Sequence, residues 1–235
     1  MNKHAVGVLG ASGYGGGELL RYLAAHPWLD VVWATADQNA GKTVGQVFGN
    51  LVGLADLTFA PADVQTAPRL DLAFLALPHG TAAQTGKSLV ERGVKVVDLS
   101  ADWRLNDASA YDEWYGWTHP DPGLLGEWVY GLPELNRESV CAAGAVANPG
   151  CYPTAAVLAL APALQAGAIE PDGIIVDATS GISGAGRKID ASYLFTELDA
   201  SYTAYRVGRH QHTPEIEQEL AAAADAPVRI TFTPH

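Results

Sequence analysis

Basic residues and cysteines are scarce in this chain of 235 residues. Lys and Arg number 14 against 26 Asp and Glu, which leaves a net charge of −12 at neutral pH. An acidic surface repels nucleic acid and anionic membranes, so the composition disfavours both as partners, whereas a small anionic substrate needs only a locally basic site. The chain has two cysteines, Cys141 and Cys151, and the sequence leaves a disulfide between them possible. So few cysteines are more typical of a protein in a reducing compartment.

Long hydrophobic runs are missing as well. The first residues, MNKHAVGVLG, lead straight into an apolar strand pattern and have neither the apolar region of a signal peptide nor the length of a membrane span. We therefore expect a cytoplasmic protein. Hydrophobic residues make up 48% of the chain and charged residues 17%, which is typical of a packed globular core rather than of disorder.

Apolar runs and helical patterns alternate in the first hundred residues. Strands are predicted at 5–10, 31–36, 72–77 and 94–99, with helices at 16–26 and 81–92. This alternation predicts an α/β fold with a doubly wound parallel sheet. The stretch 100–147 carries four Trp and three Tyr, and we expect a long structured excursion packed on these rings rather than a mobile loop.

A second group of elements follows the excursion. The patterns predict a helix at 155–165, a strand at 173–178, a helix at 213–224 with Thr213 as its cap, and a strand at 228–232 whose alternation indicates one open face.

A glycine-rich motif joins the first predicted strand to the first helix. The segment GASGYGG at 10–16 has the pattern G-x-x-G-x-x-G, in which glycines let the backbone approach a pyrophosphate that the helix N-terminus attracts. A plain tight turn is the alternative, but the strand–turn–helix context favours dinucleotide binding. The candidate cofactor residues of this turn are Gly10, Ser12, Gly13, Tyr14 and Gly16.

Two further segments bear on the cofactor. Asp37 stands near the end of the second strand, where enzymes that use NAD often carry an acid, while Lys42 in the same segment could meet the 2′-phosphate of NADP. Pro78-His79-Gly80 follows the third strand at the edge where α/β sheets place ligands. We interpret it as a cofactor-lining loop, with a structural turn as the alternative.

The segment NPGCYPT at 148–154 puts a cysteine at the start of a predicted helix. Pro153 suits the first helical turn, and the positive field of a helix N-terminus favours the thiolate, which is the nucleophilic form of Cys151. A nucleophilic cysteine that follows a nucleotide-binding domain suggests covalent acyl chemistry coupled to hydride transfer. Cys141, within VCAAGAVA, is instead predicted to be a small buried hydrophobe.

Two later motifs complete the candidate site. The loop SGISGAGRK at 180–188 combines glycines and hydroxyls with Arg187 and Lys188, which suits an anion site, while a flexible surface loop is the alternative. In HQH, either His210 or His212 could exchange a proton with a thiohemiacetal, because imidazole titrates near neutral pH. Metal binding is the alternative for the pair, but no further ligand cluster is evident and no metal is predicted.

Together these segments resemble the N-acetyl-γ-glutamyl-phosphate reductases, which are similar in fold to aspartate-semialdehyde dehydrogenase. The matching stretches run from residue 7 to residue 235, and the most specific are NPGCYPT, SGAGRK and HxHTPEIEQ in this order. The resemblance implies a Rossmann-type NAD(P)-binding domain at 1–148, which includes the excursion, and an incomplete α+β catalytic and dimerisation domain at 149–235. It also implies a homo-oligomer.

The resemblance implies NADPH-dependent reduction of N-acetyl-γ-glutamyl phosphate to the semialdehyde, with phosphate release. It makes Cys151 the nucleophile and His210 the acid–base residue, with His212 as the close second. It also completes the set of candidate contacts. Those for the cofactor are Pro78, Ser183 and Gly184, and those for the substrate are Arg104, Asn148, Arg187 and Lys188.

The chain departs from the family pattern at three places. It has HQH where the family often has HRH, and Asp37 where many relatives have a neutral or basic residue. NADP stays the predicted cofactor. NAD is the alternative, because the carboxylate of Asp37 would repel the 2′-phosphate of NADP. Family members also continue past FTPH, so we expect the chain to lack a C-terminal segment and to expose an apolar sheet edge.

Two other functions stay open from the sequence. A reductase of carrier-bound aminoadipyl phosphate in lysine biosynthesis would have the same motifs. A truncated, inactive nucleotide-binding protein would fit the shortened chain.

Overall fold

A computed structural model describes residues 3–53 and 57–235 of the chain. These form two compact units. The first consists of the chain up to Arg104 together with Pro120–Asn148, and the second of Leu105–His119 together with Pro149–His235. The predicted aromatic excursion is therefore divided between the two units.

Strands and helices are numbered here along the whole chain. The strands are β1 (His4–Leu9), β2 (Leu29–Ala34), β3 (Leu72–Leu75), β4 (Lys95–Asp98), β5 (Val129–Tyr130), β6 (Ala145–Ala147), β7 (Ile174–Ala178) and β8 (Ile230–Pro234). The helices are α1 (Tyr14–Ala24), α2 (Val44–Val47), α3 (Ala82–Glu91), α4 (Ser109–Tyr115), α5 (Pro133–Ala142), α6 (Cys151–Gln165), α7 (Phe195–Leu198) and α8 (His212–Ala224).

The first unit contains a six-stranded sheet in the order β2-β1-β3-β4-β6-β5, and every neighbouring pair is parallel. Side chains alternate between the faces of a strand, and here both faces are covered. Val8 of β1 is buried on one face with Leu20 of α1, whereas Leu75 of β3 is buried on the other with Leu89 of α3. The predicted α/β fold with a doubly wound parallel sheet is confirmed.

The aromatic rings of the excursion are packed, as predicted. In the first unit Trp103 stacks on Trp128 with ring centroids 4.8 Å apart. In the second, the buried Tyr111 contacts Trp117 at 4.9 Å and His119 at 5.0 Å. Strands β5 and β6 also lie within the excursion, and the sequence did not predict them because two and three residues are too short to show a period.

The predicted burial of Cys141 is wrong. Cys141 is exposed, and it lies on α5, none of whose residues is buried. A short run of small apolar residues is a weak signal of burial, because the packing partner decides it. Both cysteines are free.

The second unit pairs β7 with β8 in parallel and packs α6 against α8. Helix α6 begins at Cys151 itself and continues through Pro162, and the buried Val157 and Leu164 lie on it. Helix α8 begins one residue earlier than predicted. Its N-cap is Gln211, so Thr213 already lies inside the helix and the prediction that Thr213 is the cap is wrong.

No described helix has the combination of length and apolar composition that crossing a bilayer requires.

Candidate active site

The glycine turn after β1 is a close-packed backbone crossing. Gly10 has φ +75°, and a Cβ there would lie 2.3 Å from the carbonyl oxygen of Ala76. A Cβ on Gly16 would lie 2.5 Å from the Cα of Ala11. The two outer glycines of the motif are therefore required by the packing of β1, β3 and α1, whatever ligand the turn holds.

The N-terminus of α1 fits an anionic group. Its N-cap is Gly13, with no hydrogen bond from a capping side chain and no acidic residue in the first turn. The N–H groups of a helix's first turn and the helix dipole attract phosphate. Gly15, the second residue of α1, has no heavy atom within 4 Å of where its Cβ would be, so this side of the helix start is open. Ser12 and Tyr14 stand in the same turn, Tyr14 being 49% exposed. The residues present thus fit the pyrophosphate of a nicotinamide dinucleotide.

The N-terminus of α3 contrasts with that of α1, because a buried carboxylate occupies it. Asp102 accepts hydrogen bonds from the N–H groups of Gly80 at 2.7 Å, Ala82 at 2.9 Å and Ala83 at 3.0 Å. His79 is held in turn, since its Nδ1 accepts from the N–H of Ala101 at 2.9 Å. These bonds fix the Pro78-His79-Gly80 loop, and they leave the end of α1 as the better anion site of the two.

Arg104 and Asn148, both predicted to bind substrate, lie together in the first unit. Arg104 is only 4% exposed and donates from Nε to the carbonyl of Asn148 and from Nη2 to the carbonyl of Leu99, both at 2.7 Å. These carbonyls follow β6 and β4, so the guanidinium joins the carboxyl ends of two neighbouring strands. Beside them, burial raises the pKa of Asp98 to about 6, although hydrogen bonds from Ser100 oppose the shift.

In the second unit, Cys151 is the first residue of α6 and is exposed. The preceding residue, Gly150, is the N-cap, and its N–H donates to Oε1 of Glu215 at 2.8 Å. Glu215 is fully buried in the first turn of α8. One hydrogen bond therefore ties together the N-termini of the helix that carries the cysteine and the helix that carries the histidines.

Aromatic rings join the same two helix ends. The ring of Tyr152 lies 5.6 Å from that of His210 and 6.0 Å from that of His212, and the two histidines are 4.8 Å apart. Phe232 of β8 contacts both Tyr152, at 5.3 Å, and His210, at 5.2 Å. The residue that follows Cys151 thus packs on both candidate acid–base residues, so the start of α6 lies beside the start of α8.

His210 does not titrate near neutral pH, so that expectation is wrong. Burial, with smaller contributions from His212 and Arg206, lowers the pKa of His210 to about 4, although the charge of Glu215 opposes the shift. The Nδ1 atom of His210 accepts from the N–H of His212 at 3.1 Å. The neutral ring then carries its proton on Nε2, so at pH 7 His210 offers an N–H donor rather than an imidazolium.

Sequence reasoning missed Tyr152 and Tyr205. Tyr205 donates to the hydroxyl of Tyr152 at 3.2 Å, and Tyr152 donates to the carbonyl of His235 at 3.0 Å. Burial and the bond with Tyr152 raise the pKa of Tyr205. Tyr152 lies within the motif NPGCYPT, and Glu215, which the sequence analysis also did not name, lies within HTPE. Tyr205 lies in no motif.

The predicted anion loop is exposed. Ser183 and Gly184 lie in a short 3-10 helix, Ile182–Ala185, and Lys188 pairs with Asp190 at 3.0 Å, which raises the pKa of the lysine. Arg187 is exposed beside it. Among the described residues, no group of three or more His, Cys, Asp and Glu is arranged to hold a metal ion.

Two family models match the chain. The one described as "Semialdehyde dehydrogenase, NAD binding domain" matches residues 5–143, and the one described as "Semialdehyde dehydrogenase, dimerisation domain" matches residues 151–235. Among solved structures, aspartate semialdehyde dehydrogenase II from Vibrio cholerae, complexed with ASA, has a TM-score of 0.65 at 17% identity over 100% of this chain and 70% of its own. The enzyme from Candida albicans, solved with NADP, has a TM-score of 0.63 at 16% identity over 99% of this chain and 68% of its own.

Curated relatives are much more similar in sequence. N-acetyl-γ-glutamyl-phosphate reductases from Moorella thermoacetica and Acidothermus cellulolyticus are 48% and 50% identical over 97% of this chain and 66% of their own length. The one from Akkermansia muciniphila is 48% identical over 100% of this chain and 69% of its own. The chain therefore spans about two thirds of the length of these relatives.

Proposed function

The chain belongs to the semialdehyde dehydrogenase family, and we propose that it reduces N-acetyl-γ-glutamyl phosphate to N-acetylglutamate 5-semialdehyde, with release of phosphate and with NADP(H) as the cofactor. The identity of about half to reductases of that name supports the substrate. The observation that carries the proposal is the exposed Cys151 at the N-terminus of α6, joined through Tyr152 to a buried pair of histidines.

Cys151 supplies the nucleophile. Its thiolate attacks the acyl carbon of the substrate, so that a C–S bond forms and the bond to the phosphate oxygen breaks. Phosphate leaves with the bonding electron pair, and the acyl group stays on the protein as a thioester. The bond from the N–H of Gly150 to Glu215 fixes the start of the helix that carries Cys151.

The thioester carbon would accept a hydride, which a nicotinamide cofactor would supply when bound. The residues of this chain that would hold it are those of the turn from Gly10 to Gly16. His210 donates from Nε2 to the oxygen that becomes negative when the carbon has four substituents, and a neutral imidazole serves for this. When that oxyanion collapses, the C–S bond breaks, the Cys151 thiolate is regenerated and the aldehyde is free.

The assignment of the substrate's negative groups follows charge. We propose that Arg187 and Lys188 bind its phosphate and carboxylate, because a guanidinium binds such anions through two parallel hydrogen bonds and an ammonium group attracts them by its charge. Arg104 is buried and already bonds two backbone carbonyls through Nε and Nη2, so substrate contacts by Arg104 and Asn148 stay predictions. Cofactor contacts by Pro78, Ser183 and Gly184 stay predictions.

The test is NADP-dependent, phosphate-dependent oxidation of N-acetylglutamate semialdehyde, with an NAD control. Cys151→Ala should lower kcat by about 1,000-fold or more while NADPH binding is retained. Cys141→Ala, at the other exposed free cysteine, is the matched control and should keep full activity. Retained turnover in Cys151→Ala would refute the thioester route. Turnover of free N-acetylglutamyl phosphate separates this enzyme from a reductase of carrier-bound substrates, and no turnover together with NADP binding would support the inactive protein.

We further propose a homo-oligomer. The second family model is described as a dimerisation domain, and exposed apolar side chains of the second unit support a protein interface. They include Ile175, Ile182, Ile189, Leu194, Phe195, Tyr202 and Val207. Light scattering with size-exclusion chromatography tests the state. The two free cysteines support a cytoplasmic location.

A further inference from the structure

The end of β2 is attached directly to the glycine turn. The N–H of Ala11 donates to the carbonyl of Thr35 at 2.8 Å, and the N–H of Gly10 reaches the hydroxyl of Thr35 at 3.4 Å. Thr35 itself is fully buried. Asp37, two residues further on, is therefore held near the turn that we propose binds the dinucleotide.

The loop that carries Asp37 is anchored at both ends to one segment. Before the loop, the N–H of Ala36 donates to the carbonyl of Ala60 at 3.0 Å. After it, Gly41 donates to the carbonyl of Phe59 at 2.8 Å, and Phe59 donates to the carbonyl of Lys42 at 2.9 Å. The four residues between these anchors form a short bridge, so Asp37 does not stand on a long adaptable loop.

The loop presents one carboxylate and one ammonium group. The side chain of Asp37 is exposed, and no hydrogen bond or ion pair engages its carboxylate within the described residues. Lys42 is the one Lys or Arg between residues 30 and 60 of the sequence, and its Nζ lies 3.0 Å from Oδ1 of Asn39. An acid at the end of this strand suits the ribose hydroxyls of NAD, whereas a 2′-phosphate needs a cation.

We propose that Asp37 sets the cofactor choice of this chain by opposing the 2′-phosphate of NADP(H), while Lys42 supplies the attraction that offsets it. The inference rests on the proposed nicotinamide site at the glycine turn. Its consequence is that the unaltered chain binds NAD(H) as well as NADP(H), with a smaller preference for the phosphorylated cofactor than its own Asp37→Asn variant has.

The experiment measures dissociation constants for NADPH and NADH by nucleotide fluorescence, and for adenosine 2′,5′-bisphosphate and AMP by calorimetry. Asp37→Asn should tighten NADPH and adenosine 2′,5′-bisphosphate by about 10-fold, as removal of a nearby like charge requires, and should not tighten NADH or AMP. The gain should shrink at high salt. Lys42→Gln should weaken the 2′-phosphate ligands by about 5- to 10-fold and leave NADH unchanged.

Asp30→Asn is the matched control, because it removes the same charge from an exposed residue of β2 and should alter neither ratio. Asp37→Ser is the second variant should the amide perturb the loop. If both nucleotides bind but neither Asp37 variant changes the NADPH-to-NADH ratio, the inference is wrong while the proposed function stands. If neither nucleotide binds the unaltered chain, both fail.

Discussion

The backbone N–H of Gly150 donates to the buried carboxylate of Glu215 at 2.8 Å, across 65 positions of sequence. Gly150 caps the helix that begins with Cys151, and Glu215 lies in the first turn of the helix that begins with His212. This buried bond, together with the ring contacts of Tyr152, therefore holds the start of the cysteine's helix beside the start of the histidines' helix. A buried carboxylate that loses its donor lowers the stability of the fold, and so does a buried N–H that loses its acceptor. The contact is therefore sensitive to substitution.

Glu215→Ala should lower the free energy of unfolding by about 2–4 kcal/mol, because the N–H of Gly150 loses its acceptor and a fully buried side chain is deleted. Glu215→Gln keeps an oxygen that can accept from Gly150 and should cost clearly less. Urea unfolding of both variants measures the difference. Equal midpoints for the two variants would show that the hydrogen bond is not what stabilises this junction.

The glycine motif allows a paired test. Gly16→Ala places a Cβ 2.5 Å from the Cα of Ala11, which the backbone can relieve only by moving, so we expect a loss of about 2–4 kcal/mol and weaker nucleotide binding. Gly15→Ala meets no atom within 4 Å and should gain up to about 1 kcal/mol from helix propensity. Thermal unfolding of the two variants decides, and a shift of the same sign in both would contradict the packing argument.

The parts of the molecule that could be predicted from sequence are those that local patterns specify. The strand at β1, the glycine turn and α1 follow one another within the first 24 residues, and each has a period or a residue requirement of its own. A helix after Gly150 and Pro153 is likewise predicted, although it begins at Cys151 rather than at residue 155.

What could not be predicted depends on contacts between distant segments. The bond from Gly150 to Glu215 and the three N–H groups that Asp102 accepts join residues 19 to 65 positions apart, and no local pattern records them. The same holds for the low pKa of His210, because burial by rings from other segments causes it. The exposure of Cys141 also depends on the packing of α5, none of whose residues is buried, and composition does not show this.

His210 should make the protein lose stability in acid. Its pKa in the folded state, about 4, lies below the ordinary 6.5, so the folded protein disfavours the proton that the unfolded chain accepts. The contribution is fully present above about pH 6.5 and is lost as the pH falls from there through 4, by about 1–3 kcal/mol. His210→Asn, which keeps an acceptor for the N–H of His212, should remove that part of the pH dependence.

The measurement is urea unfolding of both proteins at pH 7 and pH 4.5. His26→Asn is a matched control, because the Nδ1 of His26 also accepts backbone N–H groups, from Leu29 at 3.1 Å and Trp28 at 3.3 Å, at a partly exposed position. If His210→Asn loses as much stability between pH 7 and pH 4.5 as the unaltered protein does, other groups cause that loss.

Glu219 should act in the opposite direction. Burial raises its pKa to about 7, the charge of Glu215 adds to the shift, and the bond from Nε2 of Gln218 at 2.8 Å opposes it. Because the folded state holds this proton more tightly than the unfolded chain, its contribution is present below about pH 4.5 and is lost as the pH rises through 7. Glu219→Gln should therefore stabilise the protein by about 1–3 kcal/mol at pH 8 and by little at pH 4, since an amide cannot ionise.

The comparison that isolates this effect is Glu113→Gln, which removes the same charge from an exposed side chain of the same unit. A gain at pH 8 in both variants would show that lowering the net charge of −12 stabilises the chain in general, through weaker self-repulsion. A gain in stability confined to Glu219→Gln would instead show that ionisation of the Glu219 carboxylate, away from water, destabilises the folded protein. The ionisation of Glu219 on α8 would then limit the stability of the unaltered protein at alkaline pH.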